Sequence, residues 1–261
     1  MFKNSIDVVV AGMAIFMFSV DTTAVAVGLT SISNGLNASF VWAIWTLTAF
    51  QLFNTVSMPL LGRISDAFGR KTPFLVCLII FTISSFLAAL SRSIVLLIFL
   101  RIIMGVAAGI FQPSAVGLIK DGHPKNRVQL IGFVQAMFPV GGILTPIVAG
   151  TLLYLNPFDL GWRYIFLINV PIGIITIFLG MFFLKGQNAQ EKISLDILGA
   201  LYFTLGILGL MVLFSALGLL VKEEISLPIQ FMVALAAISF FFVGLFIYRE
   251  LTVADPIFDV H

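Results

Sequence analysis

The chain has 261 residues, of which 60% are hydrophobic, with a mean hydropathy of +1.14 and a formal net charge of +2. Only 10% of the residues are charged, against roughly 25% in an average soluble domain. These charges are too few to cover a surface in water, which excludes an ordinary soluble domain and indicates that lipid is the main solvent. The basic residues stand singly between apolar runs, a pattern that favours membrane-protein loops over a nucleic-acid-binding surface.

Eight apolar runs are predicted to cross the membrane as helices, since about 20 apolar residues span the hydrocarbon core. They cover residues 8–29, 40–61, 74–90, 94–119, 128–153, 162–184, 196–221 and 227–248. We therefore predict an all-α membrane protein. It divides into a six-span unit at 1–184, a cytoplasmic linker at 185–195, two further spans at 196–248 and a cytoplasmic tail at 249–261.

The lysine and arginine residues set the predicted orientation. With the N-terminus inside, ten of them fall on the inner side and three on the outer side, a bias that predicts cytoplasmic termini in the plasma or inner membrane. The inner set is Lys3, Arg63, Arg70, Lys71, Lys120, Lys125, Arg127, Lys185, Lys192 and Arg249, and the outer set is Arg92, Arg163 and Lys222.

Two ionisable residues lie inside predicted spans, where charge is costly and commonly functional. Asp21 in span one and Arg101 in span four both sit about 10–12 Å below the outer interface, from the rise of a helix. Equal depth allows them to pair across facing helices. The pair could be purely structural, or Arg101 could extend outward to the interface. Alternatively, it could couple a proton or a substrate, because a nearby movable arginine changes how readily a carboxylate takes up a proton.

Polar or small residues also form faces on three other stretches. Thr48, Gln51 and Thr55 share a face of span two, beside Asn54, and Gln112 continues the Arg101 face of span four. Such faces point to the protein interior or to a water-filled cavity, although ordinary interhelical hydrogen bonding explains any single glutamine.

Span five is rich in small residues. Two adjacent stripes permit a neighbouring helix to approach closely, and Pro146 predicts a bend. Generic small-residue packing is the simpler interpretation. The stripes are Gly141, Thr145 and Ala149, and Gly142, Pro146 and Gly150.

The segment 62–71, between spans two and three, resembles the signature loop of the major facilitator superfamily. It reads Gly-x3-Asp-x2-Gly-Arg-Lys, and the matching positions are Gly62, Asp66, Gly69, Arg70 and Lys71. The resemblance implies that this gating loop helps to hold two transporter halves together in the outward-open state.

Four further stretches resemble motifs of the same family. Arg101-x3-Gly105-x2-Ala108 is similar to its second motif, whose arginine is linked to proton coupling, and the segments 20–25 and 161–173 are similar to motifs of the 14-helix drug:proton antiporters. Span five resembles the antiporter motif at Gly132, Gly141, Pro146 and Gly150.

The resemblance implies an N-terminal six-helix half built from 3+3 inverted repeats, followed by two linking transmembrane helices. A complete transporter of this type would continue for six more spans, so the chain is expected to be an N-terminal portion whose partner is the missing C-terminal half. The Asp66 carboxylate is then expected to lack its contact with that half.

The leading functional hypothesis is proton-coupled efflux of small lipophilic or cationic compounds. Asp21 would bind the proton or the cationic substrate, and Arg101 would tune this binding. The transport path would be lined by Trp45, Gln51, Asn54 and Gln112. The alternatives are a facilitator carrier for a small organic acid or sugar, with Arg101 holding the anion, and a truncated or split half that does not transport alone.

An enzyme is not expected, because no paired carboxylates, metal cluster or nucleophile–base arrangement falls within a span. Two histidines, His123 and His261, leave little material for metal or histidine-based catalysis, and no cofactor is expected.

Overall fold

The computed structural model describes residues 6–123, 125–184, 196–221 and 228–253. The predicted linker at 185–195, most of the predicted tail, and Lys3 and Lys222 lie outside the described residues. The regular structure of the described residues is helical throughout. The α-helices are α1 (Ile6–Gly35), α2 (Phe40–Phe68), α3 (Lys71–Ala89), α4 (Ile94–Ala108), α5 (Phe111–Gly122), α6 (Arg127–Leu155), α7 (Tyr164–Leu167), α8 (Asn169–Phe183), α9 (Ile197–Val221) and α10 (Ile229–Thr252).

Each predicted span corresponds to helical structure. The fourth span is α4 and α5 in succession, and the sixth consists of a 3₁₀ turn at Gly161–Arg163, then α7 and α8. Within the described residues, six segments are long and apolar enough to cross a membrane: Ile6–Gly35, Lys71–Ala89, Ile94–Gly122, Arg127–Leu155, Gly161–Phe183 and Ile229–Thr252. The 29-residue α2 is less apolar because it carries the polar face described above.

The chain divides into two compact units, Met1–Glu191 and Lys192–His261. In the first unit, α1 packs most extensively against α6, and α2 packs most extensively against α4. Inverted repeats relate span one to span four and span two to span five, which makes these two contacts equivalent. Spans three and six correspond to each other, and α3 packs on α8. The contacts therefore follow the 3+3 inverted-repeat arrangement.

Two glycines allow α2 and α4 to approach closely. A Cβ atom at Gly105 would overlap the backbone carbonyl of Phe50, and a Cβ atom at Gly109 would overlap the Ser57 hydroxyl. The Ser57 Oγ donates a hydrogen bond of 3.1 Å to the Val106 carbonyl across the same interface. This close crossing brings the backbone of α2 within reach of the Arg101 side chain.

The second unit is a pair of packed helices, α9 and α10. Asp196, just before α9, accepts a 3.0 Å hydrogen bond from the backbone of Gly199 and a bifurcated one from Arg249 Nε, which lies 2.7 and 2.9 Å from the two carboxylate oxygens. The side chain of Asp196 therefore joins the start of α9 to the end of α10.

The segment 62–71 is mostly helix, which corrects the expectation of a loop between spans two and three. Helix α2 continues through Gly62 and Asp66 to Phe68, and α3 begins at Lys71. Only Gly69, with a φ of 83°, and Arg70 separate them. The residues between the two glycines are compatible with a helix, and the left-handed conformation that ends it is readily available only to Gly69.

Candidate functional site

A buried ion pair joins the first and second repeats. Arg101 Nη1 on α4 donates a 2.5 Å hydrogen bond to Asp21 Oδ2 on α1, and both side chains are 0% exposed. The contact agrees with the equal depth expected from the sequence. Two charges are expensive to bury, and this expense is offset only when good geometry and further hydrogen bonds satisfy both groups.

The second carboxylate oxygen of Asp21 is also satisfied. Asn169 Nδ2, at the start of α8, donates to Asp21 Oδ1 at 2.8 Å and approaches Ser85 Oγ on α3 at 3.3 Å. Ser85 Oγ in turn donates to the Phe166 carbonyl at 2.9 Å. Asn169 and Ser85 are fully buried, so Asp21 stands at the centre of a hydrogen-bonded network that reaches α1, α3, α4, α7 and α8.

The Arg101 guanidinium is fixed by two more groups from α2. Its Nε donates to the Thr46 carbonyl at 2.9 Å, and its central carbon lies 3.9 Å from the centroid of the Phe50 ring. A planar cation over an aromatic face is a favourable arrangement. Arg101 Nη2 has no hydrogen-bond partner, although it is buried. The cation therefore has one buried nitrogen, carrying two N–H donors, that makes no hydrogen bond.

Aromatic rings lie beside the ion pair. Phe18, one helical turn before Asp21, stacks obliquely on Phe50 at 5.9 Å and on Phe138 at 5.7 Å between ring centroids. Phe50 covers the Arg101 guanidinium, and Phe18 and Phe138 extend this aromatic cluster from it.

The predicted path residues occupy different environments. Asn54 is buried, Trp45 and Gln51 are half-buried, and Gln112 Nε2 on α5 donates at 3.2 Å to Gln135 on α6. Thr55, from the same polar face, is exposed. The role of these residues as a transport path stays a prediction.

The small residues of α6 do not all serve to bring helices together. A Cβ atom at Gly141 would lie 2.8 Å from the Ser19 Cβ on α1, whereas Cβ atoms at Gly132 and Gly150 would meet nothing within 4 Å. Across this contact Ser19 Oγ donates to the Phe138 carbonyl at 2.5 Å. Helix α6 continues through Pro146 to Leu155, and a bend at this proline stays a prediction. The antiporter role of this motif stays a prediction.

The charged residues of the gating motif form a separate cluster. Arg70 pairs with Asp66 at 2.6 Å and with Asp121, at the end of α5, at 2.6 Å. Thr46 and Asp66 are 20 residues apart on α2, so this cluster lies roughly 30 Å from the buried pair along the helix axis. The arrangement ties the end of α2 to the end of α5 within the first unit.

Lys71 makes a contact that the motif did not predict. Its Nζ donates to the carbonyls of Met181 at 3.1 Å and Leu184 at 2.5 Å, where α8 ends. The last carbonyls of a helix lack partners within the helix and carry partial negative charge, so a lysine there is stabilising.

Sequence reasoning missed the roles of Asn169 and Ser85. An asparagine inside an apolar span is itself a signal of an interior contact. Asn169 lies in the stretch that resembles a subfamily motif, but the spacing of the chain gives no indication that it would meet Asp21, 148 residues earlier.

Comparison with known proteins places the chain in a family. Residues 9–252 match the family model described as Major Facilitator Superfamily. The chain is 31% identical over 254 residues to the multidrug export protein EmrB of Escherichia coli K12, covering 95% of this chain and 47% of EmrB. It is 34% identical over 200 residues to EfpA of Mycobacterium tuberculosis H37Rv, described as an uncharacterized MFS-type transporter, covering 76% of this chain and 36% of EfpA.

A solved structure supports the fold. A bacterial homolog of the human lysosomal transporter Spinster, in an inward-facing and occupied conformation, matches with a TM-score of 0.61 at 20% identity, covering 95% of this chain and 62% of that one. The chain thus spans less than half the length of the two curated relatives and somewhat under two thirds of this structure.

Proposed function

The chain belongs to the Major Facilitator Superfamily, and from this premise we propose that it serves in proton-coupled efflux of small lipophilic or cationic compounds by alternating access. The observation that carries the proposal is the fully buried Asp21 carboxylate, held by Arg101 and Asn169, with Arg101 in turn stacked on the Phe50 ring. The similarity to EmrB, whose name describes multidrug export, supports the same direction of transport.

The proposed mechanism is competition for one carboxylate. A proton on Asp21 cancels its negative charge and weakens its attraction for Arg101, whereas the ionised form can attract a cationic substrate. Because the proton and the cation cannot both occupy this charge, binding of one favours release of the other. Asp21 is sealed from solvent in this conformation, so exchange requires a second conformation in which the surrounding helices separate.

Alternating access also requires a second half to move against. We propose that the complete protein supplies it as six further spans, and that both termini of the present chain face the cytoplasm in the cell membrane. Sequencing the coding region beyond residue 261 tests the first point. An in-frame continuation with six apolar runs supports it, and a stop codon at that position supports the split-half alternative.

Transport by the complete protein tests the proposed chemistry. With tetraphenylphosphonium as the probe, proteoliposomes with an acidic lumen and no membrane potential should accumulate the cation. Asp21→Asn should reduce accumulation to below about a tenth of the wild-type level. Asp159→Asn is the matched control, since it makes the same chemical change at an exposed residue whose left-handed backbone asparagine tolerates.

Two results would contradict the proposal. Accumulation by Asp21→Asn equal to the wild type would remove the role of this carboxylate. Movement of the probe that an uncoupler leaves unchanged would favour the facilitator-carrier alternative, in which no proton is exchanged.

A further inference from the structure

Asn169 has a hydrogen-bonding arrangement that matches only one charge state of its neighbour. Its Nδ2 group donates toward Asp21 Oδ1 at 2.8 Å and Ser85 Oγ at 3.3 Å, which employs both amide hydrogens. Its Oδ1 atom is buried and has no hydrogen-bond partner. An amide that donates to Asp21 in this way is the arrangement expected when the carboxylate is ionised, because an ionised carboxylate only accepts.

Protonation of Asp21 turns one of its carboxylate oxygens from a hydrogen-bond acceptor into a donor. A proton arriving from water forms an O–H bond at one carboxylate oxygen, breaks no covalent bond of the protein and raises the charge of the Asp21–Arg101 pair from zero to +1. The new hydroxyl must donate, and Arg101 has no acceptor. The Asn169 amide already contacts Asp21 Oδ1 at 2.8 Å, and its own oxygen makes no hydrogen bond. The buried, unpartnered Oδ1 of Asn169 is therefore the acceptor that the network offers.

We propose that Asn169 is a positioning residue whose side-chain amide turns when Asp21 gains or loses a proton. The inference rests on the proposed function, in which Asp21 takes up the proton. A half-turn about the terminal bond of the side chain exchanges Oδ1 and Nδ2, and this torsion is broad and roughly two-fold. The proton then rests on Asp21 Oδ1 and is donated to Asn169 Oδ1.

The turn has a structural consequence beyond the carboxylate. It withdraws Nδ2 from Ser85 Oγ, whereas Ser85 keeps its own bond to the Phe166 carbonyl. The lost contact lies between α3 and α8, which belong to the first and the second three-helix repeat. Uptake of the proton by α1 is thereby transmitted to the interface between the repeats, where a change of conformation would begin.

Other ionisable groups near α1 do not compete for this role. Arg101 is the charged group in contact with Asp21. In the described part of the chain, the remaining ionisable side chains on α1 and on the elements packed against it stand near the ends of those elements: Asp7, Arg63, Asp66, Lys120, Asp121, Arg127, Tyr154, Arg163 and Tyr164.

Infrared difference spectroscopy of the complete protein in lipid tests the proposal. Spectra recorded across a pH titration should contain a carboxylic-acid C=O band that Asp21→Asn removes. In Asn169→Leu, which has neither donor nor acceptor, this band should move to higher wavenumber because the acid hydroxyl loses its acceptor. Asn169→Thr should return the band toward its wild-type position, since a hydroxyl can both donate and accept.

A matched control comes from the same helix. Thr176 is fully buried, and its Oγ1 bonds the Ile172 carbonyl of its own helix at 2.7 Å. Thr176→Val should leave the band in place. This result would separate the general effect of losing a buried hydrogen bond in α8 from the specific effect of losing the Asn169 amide. If the leucine variant does not fold, Asn169→Ala provides the same comparison without a branched side chain.

A second readout is the number of protons moved per tetraphenylphosphonium ion. It should fall at least about fivefold in Asn169→Leu, and the threonine variant should restore at least half of it. A band that stays at the wild-type position in both Asn169→Leu and Asn169→Ala would overturn this inference and leave the proposed function intact. Absence of any band that Asp21→Asn removes would overturn both.

Discussion

Removal of Arg101 should destabilise the protein strongly. The Arg101→Leu substitution leaves the Asp21 carboxylate buried without its charge partner, and it removes the bond to the Thr46 carbonyl and the contact with the Phe50 ring. Breaking a fully buried pair by removing one partner typically costs about 3–5 kcal/mol. Replacing both partners by neutral groups costs much less, because no buried charge then remains uncompensated.

A double-mutant cycle isolates this interaction. The free energy of unfolding is measured for the wild type, Arg101→Leu, Asp21→Asn and the double variant, in mixed detergent micelles. Labelling of the Cys77 thiol, which is buried in the folded state, reports unfolding. We expect Arg101→Leu to cost at least about 2 kcal/mol less in the Asp21→Asn background than in the wild type. This difference lies in the upper part of the range of interaction energies found for residues in contact.

The control for the loss of an arginine is Arg163→Leu. Arg163 lies half-buried over the Trp162 ring at 4.9 Å, a contact worth about 1 kcal/mol. Its cost should be independent of Asp21→Asn. If Arg101→Leu has the same cost in both backgrounds, the two buried charges are not energetically coupled and the description of the site is wrong.

Three further predictions concern the packing that holds the site. Gly105→Ala should cost about 1–3 kcal/mol in thermal unfolding, because its new Cβ meets the Phe50 backbone. The control Gly12→Ala should be nearly neutral, since the flexible Met137 side chain can move. Equal losses of stability in the two variants would refute this reasoning. Lys71→Met should cost about 1.5–3 kcal/mol by removing charge-assisted bonds to the end of α8. Lys120→Met, at an exposed lysine in the last turn of α5, should cost less than about 1 kcal/mol. Ser19→Ala should cost about 1 kcal/mol by removing its bond to the Phe138 carbonyl; an unchanged midpoint would show that α1 and α6 do not depend on it.

Helix positions and the common level of Asp21 and Arg101 could be predicted because they depend on local sequence. Runs of about 20 apolar residues locate the spans, and the 1.5 Å rise places Asp21 and Arg101 at one level. The same reasoning ended span two at residue 61, whereas α2 continues to Phe68. A helix tolerates Gly62, and of the two glycines in the segment 62–71 it is Gly69 that adopts a positive φ.

The remainder of the site depends on how helices are rotated and crossed. Asn169, Ser85 and the Thr46 carbonyl meet the ion pair because α2, α3 and α8 present particular faces to α1 and α4. The close crossing at Gly105 determines that geometry for α2. Sequence periodicity identifies an interior face, but it does not specify which residue of a distant helix lies opposite.

The central claim is that Asp21 exchanges a proton for a cationic substrate, and proton release on substrate binding tests it most directly. The complete protein is purified in weakly buffered detergent and mixed with tetraphenylphosphonium while the pH is followed. We predict that the wild type and Asp159→Asn release protons in proportion to the cation bound, and that Asp21→Asn releases none. Release from Asp21→Asn equal to that of the wild type would contradict the account.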